Sequence, residues 1–142
     1  MRLAVLGLFT VGLLASTTSA QDDAAKKEMK LLAGTWTVES ATKDGKDFDR
    51  IKNDQLIIEG SNITIKSKDK EQKATYTIDL SKTPRTVDVR PADENITVEG
   101  IYRLKGDTLT FCFGEPGTGR PTTFDAAEGS KRMLITLKRA KK

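Results

Sequence analysis

The sequence contains no histidine, and paired carboxylates remain the candidates for acid–base chemistry in this chain. Without an imidazole, neither a Ser–His nor a Cys–His nucleophile can form. Asp79 and Asp88 lie on consecutive predicted strands and are the best-placed pair for general acid–base catalysis. Both alternate out of phase with the apolar residues of their strands, which favours solvated surface charges instead. We therefore predict no enzyme, no catalytic or metal-binding residues and no cofactor; an enzyme would need a buried carboxylate pair.

The glycine-rich stretch Gly114–Pro121 has the G-x-x-x-x-G spacing of a phosphate-binding loop but lacks its chemistry. Such a loop needs Lys followed by Ser or Thr after the second glycine, and then the start of a helix. Here Arg120 and a proline follow, and the next residues are β-like. A loop between two strands is the better interpretation. Arg120 in that loop is a candidate contact for an anionic group of a ligand, and a solvated arginine is the alternative.

Covalent modification has three candidate sites. Cys112 is the only cysteine, so no intramolecular disulfide bond can form. We predict that it is a small buried strand residue, with a reactive or intermolecular thiol as the alternative. Asn62 and Asn95 match the N-glycosylation pattern, but both also lie where turns meet strands, a position that favours Asn in any protein.

A short helix is predicted over about residues 22–33. Ala25, Met29 and Leu32 recur at i, i+4 and i+7, which gives the helix one apolar stripe. Gly34 is the predicted stop, because glycine accepts a left-handed backbone conformation after a helix. The helix should therefore lie on the body of the domain as a lid or buttress.

From residue 35 to residue 139, apolar and polar residues alternate in short runs that predict β-strands. Eight or nine such runs are joined by short turns, so neighbouring strands should be antiparallel. Thr122–Phe124 is predicted as one strand, and Gly100 as a bulge or bend in another. Because each strand has one apolar face, the sheet must close or pair with another sheet. We predict a mainly β protein: a single antiparallel up-and-down barrel with a short N-terminal helix.

Residues 1–20 have the features of a secretory signal peptide. Arg2 precedes the apolar run Leu3–Ala15, and small residues precede a cleavage position before Gln21. The run is too short to cross a bilayer, which needs about 20 apolar residues. We therefore expect no transmembrane segment, export to the periplasm or the exterior, and one mature domain over residues 21–142.

The charges, 24 Lys+Arg against 20 Asp+Glu, are interleaved along most of the chain. The exception is the basic cluster Lys138–Lys142, which is expected to be a frayed, solvated end. The alternative is weak contact with anionic components of the envelope. Nucleic acid is not an expected partner, because aromatic and basic residues do not interleave and the chain has an export signal. We expect a monomer.

Two resemblances rest on named residues. The segment Gly34-Thr-Trp36 resembles the G-x-W opening of lipocalin-type barrels, in which the Trp closes the barrel base beneath a basic residue near the last strand. The resemblance implies that role for Lys138 or Arg139. A wider set resembles small exported lipocalin-like domains of planctomycete bacteria, for which no activity is assigned. It comprises Leu32–Trp36, Asp44–Lys46, Tyr76–Asp79, Pro84, Gly100–Leu109, Phe111–Cys112 and Arg120–Phe124.

The predicted function is non-enzymatic binding of a small apolar or amphipathic molecule in the barrel. The predicted ligand-binding residues are Trp36, Tyr76, Tyr102, Phe111, Phe124 and Arg120. The wider set expected to line the interior adds Val38, Ile63, Ile65, Ile78 and Leu109. A packed core without a cavity is the alternative, and the protein would then be an envelope module that binds proteins or polysaccharides through Gly114–Pro121.

Overall fold

A computed structural model shows residues 17–140 as one α-helix, one short 3-10 helix and nine β-strands. The helix α1 covers Thr17–Leu32, and the 3-10 helix covers Asp49–Ile51. The strands are β1 (Gly34–Lys43), β2 (Lys46–Asp47), β3 (Gln55–Glu59), β4 (Asn62–Lys66), β5 (Glu71–Asp79), β6 (Arg85–Pro91), β7 (Val98–Lys105), β8 (Thr108–Gly114) and β9 (Arg132–Arg139).

Eight of the strands form a closed barrel. From β3 to β9 each strand pairs with the next one in sequence, and β1 pairs with both β3 and β9, which closes the ring. Every pairing is antiparallel, and the two-residue strand β2 pairs with β1 outside the ring. The predicted mainly β, up-and-down barrel with an N-terminal helix is therefore confirmed.

The period of two in the sequence determines which side chains fill the barrel. On β6, for example, Val87 is buried and faces inward, whereas Asp88 on the opposite face meets the outer surface. The interior residues predicted from this alternation belong to one apolar core or pack against it, with the single exception of Phe124. The buried members of that core are Leu32, Trp36, Val38, Ile58, Ile63, Ala74, Tyr76, Val87, Tyr102, Leu109, Phe111 and Leu137.

One end of the barrel, here called the closed end, is covered by α1. The register places Gly34 opposite Ile58 and Trp36 opposite Arg139 at this end. Leu32, in the last turn of the helix, is buried in the core, and its carbonyl oxygen accepts a 2.8 Å hydrogen bond from Nε1 of Trp36. The helix and the first strand therefore close the base together, as the apolar stripe of the helix predicted.

The opposite end, here called the open end, has an irregular wall where β1 meets β3. The pairing of these two strands ends at Thr37. Beyond it, the register of β1 along β9 shifts at a bulge between Val38 and Ser40. Residues 48–54, here called the mouth segment, continue the wall in place of a strand. The amides of residues 48 and 53 donate to the carbonyl oxygens of Ala41 and Val38, and the Val38 amide donates to that of Asp54.

Residues 115–131, here called the outer segment, cross the outside of β8. Pro121 and Ala126 are buried in this segment, and the backbone oxygen of Asp125 accepts a 3.3 Å hydrogen bond from the Cys112 thiol. Cys112 is thus buried on the outward face of β8, as predicted, and burial raises the pKa of its thiol. The predicted strand Thr122–Phe124 is wrong: these residues form bends, because they pack on a strand face and do not join the sheet edge.

Two further predictions need correction. Helix α1 begins at Thr17 and not at about residue 22. The predicted start came from the expected cleavage before Gln21, and no helix-breaking residue lies between positions 17 and 22. No bulge occurs at Gly100, because β7 pairs with β6 without interruption through this residue and with β8 from this residue onward. Residues 1–16 of the predicted signal peptide, and Lys141 and Lys142 of the basic cluster, lie outside the described residues. Within residues 17–140, the only α-helix is too short and too polar to cross a bilayer.

Candidate ligand cavity

The open half of the barrel contains a cavity of about 320 Å³. It is lined mainly by inward-facing aliphatic and aromatic side chains: Val38, Ile51, Leu56, Ile63, Ile65, Val89, Phe111, Phe113, Met133, Ile135 and Leu137. Small-molecule sites in proteins usually have volumes of about 300–1,000 Å³ and a mostly apolar lining. The cavity therefore has the size and lining of a site for one small molecule.

One wall of the cavity is aromatic. The rings of Phe111 and Phe113 are stacked with centroids 5.2 Å apart and an interplanar angle of 22°. The Phe113 ring lies directly over Gly100 on the neighbouring strand, where a Cβ atom would stand 2.5 Å from Cδ1 of that ring. Glycine at position 100 thus gives the Phe113 ring its place in the wall. The sequence predicted a bulge or bend at Gly100, whereas the structure shows that glycine is needed here to leave room for a ring.

Polar groups lie at the rim of the cavity, towards the open end. Asp54, at the end of the mouth segment, lines the cavity together with Gln55, Ser67 and Gln72. The Ser67 hydroxyl donates a 2.9 Å hydrogen bond to Oδ2 of Asp54. None of these four residues was predicted to line a site. Only Gln72 could have been, because it is in phase with the inward-facing residues of β5.

A partly buried polar cluster joins α1 to the barrel wall at the closed end. Oε1 of Glu28 accepts a 2.8 Å hydrogen bond from Nη1 of Arg85 and a 3.2 Å hydrogen bond from the Tyr102 hydroxyl. Burial raises the pKa of Tyr102, and the nearby charge of Glu28 raises it further. Glu28 was missed, although its position four residues before Leu32 places it on the helix face that packs on the barrel.

Tyr76 lies beside this cluster, and its hydroxyl has no hydrogen-bond partner among the residues that the structure describes. Burial, with a smaller contribution from Glu28, raises the pKa of Tyr76 to about 12. A void of only about 10 Å³ borders Tyr76 and Tyr102. The closed half of the barrel is therefore packed, and the free space inside the barrel lies in the open half.

The predicted ligand-binding residues are thus divided among three places. Phe111 alone lines the cavity, whereas Trp36, Tyr76 and Tyr102 are buried in the packed half of the barrel. Phe124 lies outside the barrel, where the Arg103 guanidinium is 4.6 Å from its ring centroid. The structure therefore brings four of the six into one core but only one of them to the cavity.

The basic residue that covers Trp36 is Arg139. Its guanidinium carbon is 4.3 Å from the centroid of the indole ring, and its Nη1 and Nη2 donate to the carbonyl oxygens of Ala33 and Leu31. Lys138 points elsewhere and donates to the Thr108 hydroxyl. Gly34 has φ +130°, a backbone conformation that other residues rarely adopt, and a Cβ atom there would stand 2.9 Å from Nη1 of Arg139, so the guanidinium would have to shift. Gly34, Trp36 and Arg139 thus form one closure at the base of the barrel.

Arg120 lies on the outer surface and not in the cavity. Its Nη1 donates to the carbonyl oxygens of Val87 (3.2 Å) and Gly100 (2.9 Å), and its Nη2 lies 2.7 Å from Oδ1 of Asp88. Arg120 and Asp88 line an outer cleft of about 410 Å³, which Asp79 also borders. Hydrogen bonds from Ser81 lower the pKa of the exposed Asp79 carboxyl, so this group is ionised at neutral pH.

Replacing Arg120 with alanine is expected to lower the free energy of unfolding by about 1–3 kcal/mol, because three hydrogen bonds that fix the outer segment are lost. Chemical denaturation followed by circular dichroism measures this loss. Arg120→Lys is the control and should lose less, since it keeps the charge without the planar fork. Binding in the barrel should not change. Full stability of Arg120→Ala combined with weaker binding of an anionic ligand would instead assign Arg120 to a ligand.

No cluster of three or more Cys, Asp or Glu side chains within residues 17–140 could hold a metal ion. No family model, curated protein or solved structure matches this chain.

Proposed function

We propose that the protein is an exported, non-enzymatic binding module that holds one small apolar or amphipathic molecule in the open half of its barrel. The observation that carries the proposal is the cavity of about 320 Å³, lined by apolar side chains. Trp36 and α1 close the other end of the barrel, so a ligand would enter at the rim formed by Asp54, Ser67 and Gln72. The proposal of export rests on the predicted signal peptide, and kinship with lipocalin-like domains rests on the G-x-W opening.

A polar rim over an apolar interior suits an amphipathic molecule better than a wholly apolar one. Burial of the apolar part contributes about 25 cal/mol for each Å² removed from water. The polar part would remain beside the side chains of Gln55, Ser67 and Gln72, where its hydrogen bonds are kept. The alternative, an envelope-interaction module with a packed core that uses Gly114–Pro121, is less well supported because the core has a cavity and Arg120 is engaged within the fold.

The first test is native mass spectrometry of the protein purified gently from the envelope of its own host. A discrete added mass would support a carrier function and identify the class of its cargo. The second test is titration of the ligand-free protein with an apolar fluorescent probe, which should bind with one site per chain. A bare mass together with no probe binding by the correctly folded protein would overturn the proposal.

A cavity-filling variant tests the location of the site. Ile65→Trp places a large ring in the cavity and should reduce probe affinity by about ten-fold or more, because the ring excludes the ligand. Thr64→Trp is the matched control: it changes the neighbouring residue on the opposite face of β4 and should bind normally. Thermal unfolding confirms that both variants fold. Equal probe affinities for the two variants would place the ligand outside the barrel.

A further inference from the structure

We propose that the ligand of the barrel is an amphipathic amine, whose protonated head group binds the carboxylate of Asp54. This inference rests on the proposed function and adds a chemical class of ligand to it. Among the described residues that line the cavity, Asp54 is the only one with an ionisable side chain. A ligand that fills the cavity therefore meets one charge at the rim, and that charge is negative.

One hydrogen bond holds the carboxylate of Asp54, and two more hold its backbone. Its side chain accepts the 2.9 Å hydrogen bond from Ser67 at Oδ2. Its own amide donates to the carbonyl oxygen of Ile51 at 3.0 Å, and its carbonyl oxygen accepts from the Val38 amide at 2.9 Å. An ionised carboxylate has about four acceptor positions, so the bond from Ser67 leaves capacity for a second donor. The group is thus positioned before any ligand arrives, which reduces the entropic cost of binding.

The excess of basic residues in the chain does not reverse this preference. The chain carries four more Lys and Arg than Asp and Glu, which would attract anions at long range. Charges on the surface are, however, screened over about 8 Å at physiological ionic strength, whereas a head group at the rim is in direct contact with Asp54. Lys43 lies on β1 near the same end, but its Nζ atom is 5.3 Å from the centroid of the Phe48 ring and is engaged there. Direct contact with the Asp54 carboxylate therefore favours a cationic head group over an anionic one.

The rest of the cavity suits the apolar part of such a molecule. Gln55 and Gln72 offer amide groups at the rim that hydrogen-bond without adding charge. Below them, the lining is aliphatic except for the stacked rings of Phe111 and Phe113. A linear or small aromatic amine would place its chain or ring against this wall with its head at Asp54. A carboxylate of the same shape would bring two negative groups together.

The test compares decylamine, decanol and decanoate by isothermal titration calorimetry at neutral pH, with the full mature protein. These probes share one chain and differ in the head group. We expect decylamine to bind about ten-fold more tightly than decanol, and decanoate to bind most weakly, since a charge-assisted hydrogen bond is about twice as strong as a neutral one. Asp54→Asn keeps the shape and should remove the preference for the amine while leaving the affinity for decanol unchanged.

Asp49→Asn is the matched control for the net charge, because Asp49 is an exposed residue of the same mouth segment and does not line the cavity. It should leave all three affinities unchanged. Equal binding of amine and alcohol by the wild type, or equal effects of the two Asn variants, would overturn the assignment of Asp54 and leave the binding function standing. Failure of all three probes to bind, together with a bare native mass and no binding of the apolar fluorescent probe, would overturn the binding function itself.

Discussion

Replacing Trp36 with alanine is expected to lower the free energy of unfolding by about 3–5 kcal/mol, the range measured for large aromatic residues removed from cores. Trp36 is 0% exposed, and three elements depend on it. Its ring fills the base of the barrel, its Nε1 is bonded to Leu32 of α1, and its face receives the Arg139 guanidinium. The alanine variant would therefore lose the contacts that join the helix, the first strand and the last strand.

Urea denaturation followed by far-ultraviolet circular dichroism measures this loss, because the variant has no tryptophan left for fluorescence. Trp36→Phe is the control: it keeps an aromatic ring but removes the N–H donor, so an intermediate loss is expected. A cost below about 1 kcal/mol for the alanine variant would contradict a tightly packed closed end.

Alkaline pH is expected to destabilise the protein strongly. The ordinary pKa of tyrosine is about 10. Burial first, and the Glu28 charge second, raise the pKa of Tyr76 to about 12, and the same two causes raise the pKa of Tyr102. Between these values the unfolded chain has released the tyrosine protons and the folded chain still holds them. Stability due to these groups is therefore complete below about pH 10 and falls as the pH rises, by about 1.4 kcal/mol per pH unit for each tyrosine.

Unfolding free energies measured at intervals from about pH 9 to about pH 12 would show this slope. Tyr76→Phe is the control, since the Tyr76 hydroxyl has no partner among the described residues and its loss at neutral pH should cost little. The variant should lose one of the two tyrosine contributions, and lysine titration affects both proteins alike. Identical pH dependence of the variant and the wild type would show that Tyr76 titrates normally in the folded state.

The barrel was predictable because its strands obey one strong rule, the alternation of inward and outward residues. In a closed antiparallel meander that rule suffices to identify the core, and it correctly assigned Tyr76, Tyr102 and Phe111 to the interior. It failed at Phe124, where three residues after a proline had the composition of a strand without a neighbouring edge to join. The outer segment is held instead by long-range contacts, such as those of Arg120 with two strand carbonyl oxygens, which no local pattern encodes.

The candidate site was less predictable than the fold for a physical reason. Aromatic residues were expected to mark the ligand site, but the largest of them, Trp36, is used to seal the base. The cavity exists where smaller side chains, Val89 and Ile135 among them, leave the open half unfilled. Asp54 reaches the rim through the irregular mouth segment, whose path depends on the bulge in β1. The unfilled volume of the open half and the backbone path that places Asp54 at the rim both depend on tertiary structure. Local sequence patterns therefore do not reveal them.

The bulge in β1 also bears on how quickly a ligand could enter and leave. Past Thr37 the wall between β1 and β3 depends on a few backbone hydrogen bonds of the mouth segment, while strand ladders continue around the remainder of the ring. Local opening of so short a segment breaks few contacts and leaves the core intact, so its amide protons should exchange with solvent faster than those of β7 and β8. The residence time of a bound ligand would then depend on the mouth segment. Substitutions that stabilise the closed end would slow global unfolding without slowing the exchange of such a ligand.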